Sequence, residues 1–164
     1  MMFGNYYWKY QKNMKKSITF DDILILPSFS GRLTKSSPNI STYICGLELS
    51  LPVISSPMDT VTGCNMAVTM SNNGGLGIIH RNFTKDEARL EISNALVQVP
   101  LDGCTKTKNG NIAIGVAINS LVNDEEKNWI KELEDNDIAV LLIDTAHGHN
   151  EFVHDKISMI KIYI

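Results

Sequence analysis

Four apolar segments recur along this chain, each followed by a stretch of helical periodicity. LPVISS (51–56), LGIIH (76–80), NIAIGVAI (111–118) and DIAVLLID (137–144) carry little polar alternation in their middles. Strands of that kind are buried on both faces, which predicts a parallel sheet covered by helices. The helices are legible between them. Asp59 or Thr60 offers a side-chain oxygen to cap a helix that runs to about Asn73, and Gly74-Gly75 supply its left-handed exit. Thr84 and Glu87 form a capping box, followed by Ala88, Ile92, Ala95 and Leu96 on one face. Asn123 and Glu126 repeat the cap before Trp129, Ile130 and Leu133, and Val153, Ile157, Ile160 and Ile164 mark a last helix. Four βα units fit a small open sheet or half of a (β/α)8 barrel, which takes about 250 residues when complete. The pattern alone does not choose between them.

The remaining segments are less regular. Ser17 to Pro27 predicts a short extended piece, Ser28 to Thr42 a Ser/Pro/Thr-rich loop, and Tyr43 to Leu51 a second extended piece broken at Gly46. Residues 100–111 predict a polar loop. Residues 1–16, with Lys9, Lys12, Lys15 and Lys16, predict a solvated N-terminal tail.

Composition bounds the function. The 164 residues are 43% apolar and 20% charged, with a net charge of −3, so the chain holds an ordinary core and no basic surface for nucleic acid. No apolar run approaches the roughly 18 residues of a membrane span, and no signal peptide is visible. Cys45, Cys64 and Cys104 are odd in number and widely spaced, and fit free thiols in a reducing cytoplasm better than disulfides.

Ligands of such sheets bind at the carboxyl ends of the strands. Those ends read Ser55-Ser56-Pro57-Met58-Asp59, His80-Arg81-Asn82, Ala117 with Asn119-Ser120, and Asp144-Thr145-Ala146-His147-Gly148-His149. Bland roles compete at several positions: a cap for Asp59 and Thr60, core filler for Met58, a wall residue for His80. Gly74, Gly75 and Gly77 fit turns and packing and make no dinucleotide fingerprint. Asp144 stands apart. A carboxylate directly after AVLLI must stay solvated, be paired, or hold a ligand hydroxyl. The His147/His149 pair is too weak a pattern to assign a metal.

SITFDDILILP, ISSPMDTVT, GGLGIIHRN and LLIDTAHGH occur in this order, and together they resemble IMP dehydrogenase over roughly residues 17–155. The resemblance to GMP reductase, its close relative, is weaker in the second and fourth motifs. The resemblance to IMP dehydrogenase implies that residues 17–164 are the N-terminal half of a (β/α)8 barrel in an enzyme that oxidises IMP to XMP with NAD and water, for guanine nucleotide synthesis. In the family a loop cysteine attacks C2 of the purine, and water later hydrolyses the thioimidate. The resemblance places Ser56 and Met58 against IMP, and Asp144 on the cofactor ribose. It places Thr145 and His147 near the adenosine, and Arg81 near the adenine.

The departures are as informative. Residues 100–111 stand where the family commonly inserts a pair of CBS modules. The G-x-G-x-x-S-x-C loop with the nucleophile, the phosphate loops, the potassium site and the mobile flap have no counterpart in the 164 residues. None of the three cysteines matches the nucleophile, and Cys64 reads as buried filler, so no catalytic residue is assigned. The expectation is no turnover from this chain alone. It is a fragment, one half of a split enzyme completed by a second chain, or a nucleotide-binding module, with closure by a second copy as one route.

Overall fold

The computed structural model describes residues 17–29, 31 and 38–163. The predicted tail (1–16), much of the Ser/Pro/Thr loop and Ile164 lie outside them. The chain divides into two compact units, Met1–Pro38 and Asn39–Ile164.

In the first unit the extended reading of 17–27 needs correction. Phe20–Asp22 is a 3-10 turn, because Asp22 Oδ2 accepts from the Thr19 amide at 2.8 Å and so caps the turn it ends.

The second unit opens with a hairpin, β1 (Thr42–Ile44) and β2 (Leu47–Leu49). Cys45 and Gly46 join them with φ of 49° and 79°, the left-handed pair that a two-residue turn of primed type needs. The extended piece read from the sequence is thus two paired strands. Next come β3 (Ile54–Ser55), α1 (Cys64–Asn72), β4 (Leu76–Ile79), α2 (Lys85–Leu96), β5 (Ile114–Ile118), α3 (Asp124–Asp135), β6 (Val140–Ile143) and α4 (Glu151–Tyr163). Strands β3 to β6 form a parallel sheet in sequence order. The architecture is mixed α/β and consistent with part of a (β/α)8 barrel.

Alternating strand residues divide the core in two. Ile79, Ile114, Val116 and Ile118 pack with Ala67, Ile92, Ala95, Trp129, Ile130 and Leu133 of the helices. Leu76, Ile78, Ala117 and Val140 turn the other way and pack with Leu47 and Leu49 of the hairpin. The apolar strands therefore meet helices on one face and the hairpin on the other. At Gly77 helix α1 lies so close that an added Cβ would stand 2.3 Å from Ala67 Cα.

Two helix readings change. Helix α1 starts at Cys64, beyond Asp59 and Thr60, because the Met58 carbonyl takes the Val61 and Thr62 amides (2.9 and 3.0 Å) in a separate turn. Its N-cap, Gly63, has no side chain, and Glu91 Oε2 of α2 accepts from the Cys64 amide at 2.6 Å instead. The buried face of α4 is Val153, Lys156 and Met159, with Ile160 half-buried and Ile157 38% exposed.

The amino ends of the strands are tightly bonded. Buried Thr105 donates to the Gly75 carbonyl at 2.7 Å, and Ser71 Oγ donates to the Ala113 carbonyl. Asp137, at φ 58°, accepts from Thr107 Oγ1 (2.6 Å), Asn109 Nδ2 (2.8 Å) and Asn111 Nδ2 (2.8 Å). The loop expected at 100–111 is thus fastened to two neighbouring elements.

Candidate functional site

The opposite, carboxyl ends of β3 to β6 carry the candidate ligand-binding residues Ser56, Met58, Arg81, Asp144, Thr145 and His147. Ser56 and Met58 follow β3. Both are exposed, Met58 by 54%. Their loop is folded from behind by Thr62, which is fully buried and whose Oγ1 donates to the Ser56 carbonyl at 2.6 Å and lies 2.9 Å from Ser55 Oγ. The Thr62 carbonyl accepts the His80 amide at 3.2 Å, so the β3 and β4 ends are coupled. Thr62 was not singled out from the sequence, although it ends the ISSPMDTVT motif.

His80, after β4, is a wall residue. It is 5% exposed, stacks on Phe83 with ring centroids 4.0 Å apart, and its Nδ1 accepts from the Asn82 amide. Arg81 points outward. Its Nε donates to Asp144 Oδ2 at 3.0 Å, with side chains 43% and 39% exposed. This contact joins the ends of β4 and β6 over the end of β5. The Asp144 amide donates to the Ile118 carbonyl at 2.9 Å, which sets the carboxylate beside β5. Between them Asn119 Oδ1 accepts from Leu121 N at 2.9 Å and shapes its own turn. A cavity of about 130 Å³ lies behind the rim, lined by His80, Arg81, Asn119, Lys85 and Trp129.

Thr145 is half-buried and His147 is exposed, both in the β6–α4 loop. The His147 carbonyl accepts from Asn150 Nδ2, and Asn150 Oδ1 in turn accepts from the Val153 amide at 3.0 Å, so the loop is tied to the start of α4. His149 Nδ1 and His154 Nε2 are 3.4 Å apart, and among the described residues no group of three metal-capable side chains forms. Ser56 and Met58 sit at one edge strand and Asp144 at the other, so the rim presents two separate patches about 14 Å apart at ordinary strand spacing.

A larger cleft, about 770 Å³, lies in the outer helix layer between α1 and α2 and holds Cys64 and Glu91. Cys64 is half-buried, correcting its reading as buried filler. Burial and then the Glu91 carboxylate push its thiol above the ordinary value, the wrong direction for a nucleophile. The polar groups of the rim, not this cleft, make the better candidate.

A third cleft, about 740 Å³, follows β6 and is lined by Leu141, Ile143, Ile157 and Ile160. Among the described residues neither β3 nor β6 has a second partner strand. No helix among them is long and apolar enough to cross a membrane.

The chain is similar to the inosine-5'-monophosphate dehydrogenase of Cryptosporidium parvum, 34% identical over 170 residues that cover 85% of this chain and 42% of that protein. It is similar to that of Borreliella burgdorferi, 27% identical over 189 residues that cover 92% of this chain and 46% of the relative. A shorter stretch of 73 residues is 45% identical to the enzyme of Methanocaldococcus jannaschii, covering 44% and 14% of the two chains. The chain thus spans less than half the length of these relatives. The family description that reads IMP dehydrogenase / GMP reductase domain matches residues 17–164, and the chain belongs to that family.

Proposed function

We propose that residues 17–164 form the amino-terminal half of a (β/α)8 barrel that binds IMP and NAD for the oxidation of IMP to XMP. The observation that carries this reading is the Arg81–Asp144 pair. Two motif residues far apart in sequence meet at the rim, at the strand ends where such barrels hold ligands. Helices on one sheet face only also favour a barrel over a doubly wound sheet, which has helices on both.

The residues present fit the cofactor. Asp144 is a half-exposed carboxylate, and a carboxylate accepts both hydroxyls of a ribose. In this reading Thr145 and His147, next to it in the chain, meet the adenosine, and Arg81, which holds one Asp144 oxygen, covers the adenine. At the other patch the Ser56 hydroxyl hydrogen-bonds the nucleotide and the Met58 thioether packs on the purine. NAD supplies the hydride acceptor. The potassium of the family has no assigned ligand among these residues.

The 164 residues contain no G-x-G-x-x-S-x-C segment, so by themselves they bind without turnover. Catalysis requires the other half-barrel, with its cysteine loop, against the β3 and β6 edges, whether on the same polypeptide or on a second chain. Three free thiols suit the cytoplasm. The test is to mix the chain with a polypeptide carrying the remaining strands and the cysteine loop of a relative. IMP-dependent NADH formation is expected. A folded pair that forms none contradicts the reading, and NADPH-dependent consumption of GMP instead would assign the reductase branch.

A further inference from the structure

Behind the rim lies a buried charge cluster that the nucleotide reading does not use. Lys156 of α4 is 0% exposed, and a lysine is almost never so buried unless paired. Its Nζ donates to the Leu121 carbonyl at 2.8 Å and to Glu126 Oε2 at 3.0 Å. Glu126 in the first turn of α3 is itself 5% exposed in its side chain, and its Oε1 accepts from Lys85 Nζ at 2.8 Å. Lys85 opens α2 and stands 4.6 Å over the Trp129 ring. Burial pushes the Glu126 carboxyl up, and the hydrogen bonds and charges of Lys85 and Lys156 outweigh it, leaving it below the ordinary value.

The cluster joins three consecutive strand–helix junctions. Lys85 lies four residues after Arg81, Leu121 two residues after Asn119, and Lys156 on the helix that follows Asp144, Thr145 and His147. Among the described residues the junction with Ser56 and Met58 makes no bond to this cluster; it is held by Thr62 and, at the start of α1, by Glu91. A buried ion pair adds little to stability over apolar packing of the same shape. What it adds is direction, because each bond fixes one atom against another.

We propose that Lys156, through Glu126 and Lys85, is a positioning residue for the cofactor patch: it holds the β4–α2, β5–α3 and β6–α4 loops as one unit and makes no bond to the substrate loop, whose own link to the end of β4 runs through Thr62. The loop coupling stands on the geometry alone, and its effect on NAD rests on the function proposed above.

The test uses the 164-residue chain and its Lys156→Met variant, which keeps the aliphatic length and the Glu126–Lys85 pair. Amide hydrogen exchange is followed in loops 80–84, 119–123, 144–150 and 56–62, with NAD and IMP titrated separately. In the variant, exchange rises on the order of tenfold in the second and third loops and not in 56–62. NAD binding weakens about tenfold and IMP binding stays, and Lys156→Arg recovers part of the loss. If Lys156→Met does not fold, Lys85→Met replaces it, since that side chain is 33% exposed, and loosening is then confined to 80–84. Equal acceleration in all four loops, or in none, overturns the proposal. So does unchanged NAD affinity in the variant of a chain that binds NAD. A wild type that binds no NAD but shows the loop pattern keeps the coupling and removes the cofactor reading.

Discussion

The two ends of the parallel sheet are built by different rules. At the amino ends Ser71, Thr105, Thr107 and Asp137 are bonded to neighbouring backbone or side chains, and Leu47 and Leu49 of the hairpin close the adjacent core. At the carboxyl ends Ser56, Met58, Arg81 and His147 are exposed, and among the described residues the Asp144 carboxylate is bonded only to its half-exposed partner Arg81. The first arrangement uses its polar groups to fasten loops. The second leaves polar groups available and supports them from behind, through Thr62 and the Lys85–Glu126–Lys156 cluster. In (β/α)8 barrels the amino face serves stability and the carboxyl face serves ligands, and the partition of bonded and exposed polar groups here is consistent with that division.

The division can be broken by substitution. The largest stability loss is expected at the frame: Gly77→Val forces a side chain against the Ala67 backbone and should cost about 3 kcal/mol in chemical denaturation. A loss under about 1 kcal/mol would mean that α1 moves easily against β4. At the amino end Asp137→Ala removes the acceptor of the buried Thr107 hydroxyl and keeps the left-handed φ without a residue suited to it, for a loss of about 2 kcal/mol. Asp137→Asn keeps an acceptor and tolerates the same φ, and should lose less than about 1 kcal/mol by the same measurement.

Acid sharpens the comparison. Burial pushes the Asp137 carboxyl up, and the hydrogen bonds from Thr107, Asn111 and Asn109 outweigh it, so its folded value lies below the ordinary one. A lowered folded value means stability present above the unfolded value, about 3.9 for Asp, and lost as pH falls through the folded value. Glu126 shares that sign, against an unfolded value of about 4.3. Thermal unfolding followed from about pH 7 to about pH 3 should show the loss confined to the acid end, and smaller in Asp137→Asn. The smallest stability effect is at the rim. Asp144→Ala breaks only a half-exposed ion pair and should change stability by no more than about 0.5 kcal/mol.

Sequence legibility follows the same boundary between local and distant causes. The order of strands and helices was readable because apolar runs and helical periods are local. The Thr84–Glu87 cap and the Gly74 exit, at φ 80°, were local too. The start of α1 was not: Asp59 and Thr60 have capping chemistry, yet the cap comes from Glu91, 27 residues from Cys64. Glu126 illustrates the same limit. It was read as a partner of Asn123, whose side chain does accept the Glu126 amide at 2.8 Å, but its carboxylate serves Lys85 and Lys156. Lys156 carried a usable signal, since it falls three residues after Val153 and so on the same helical face. At the rim each strand-end residue was legible alone, whereas the Arg81–Asp144 contact skips β5 and needed the fold.

The most direct measurement is calorimetric titration of NAD into the folded chain and into Asp144→Ala, with unfolding followed on the same samples. The account predicts saturable binding to the first, binding weaker by at least about tenfold to the second, and matching unfolding curves. Equal affinity in the two proteins, or no binding to a folded wild type, would contradict the assignment of the rim to the cofactor.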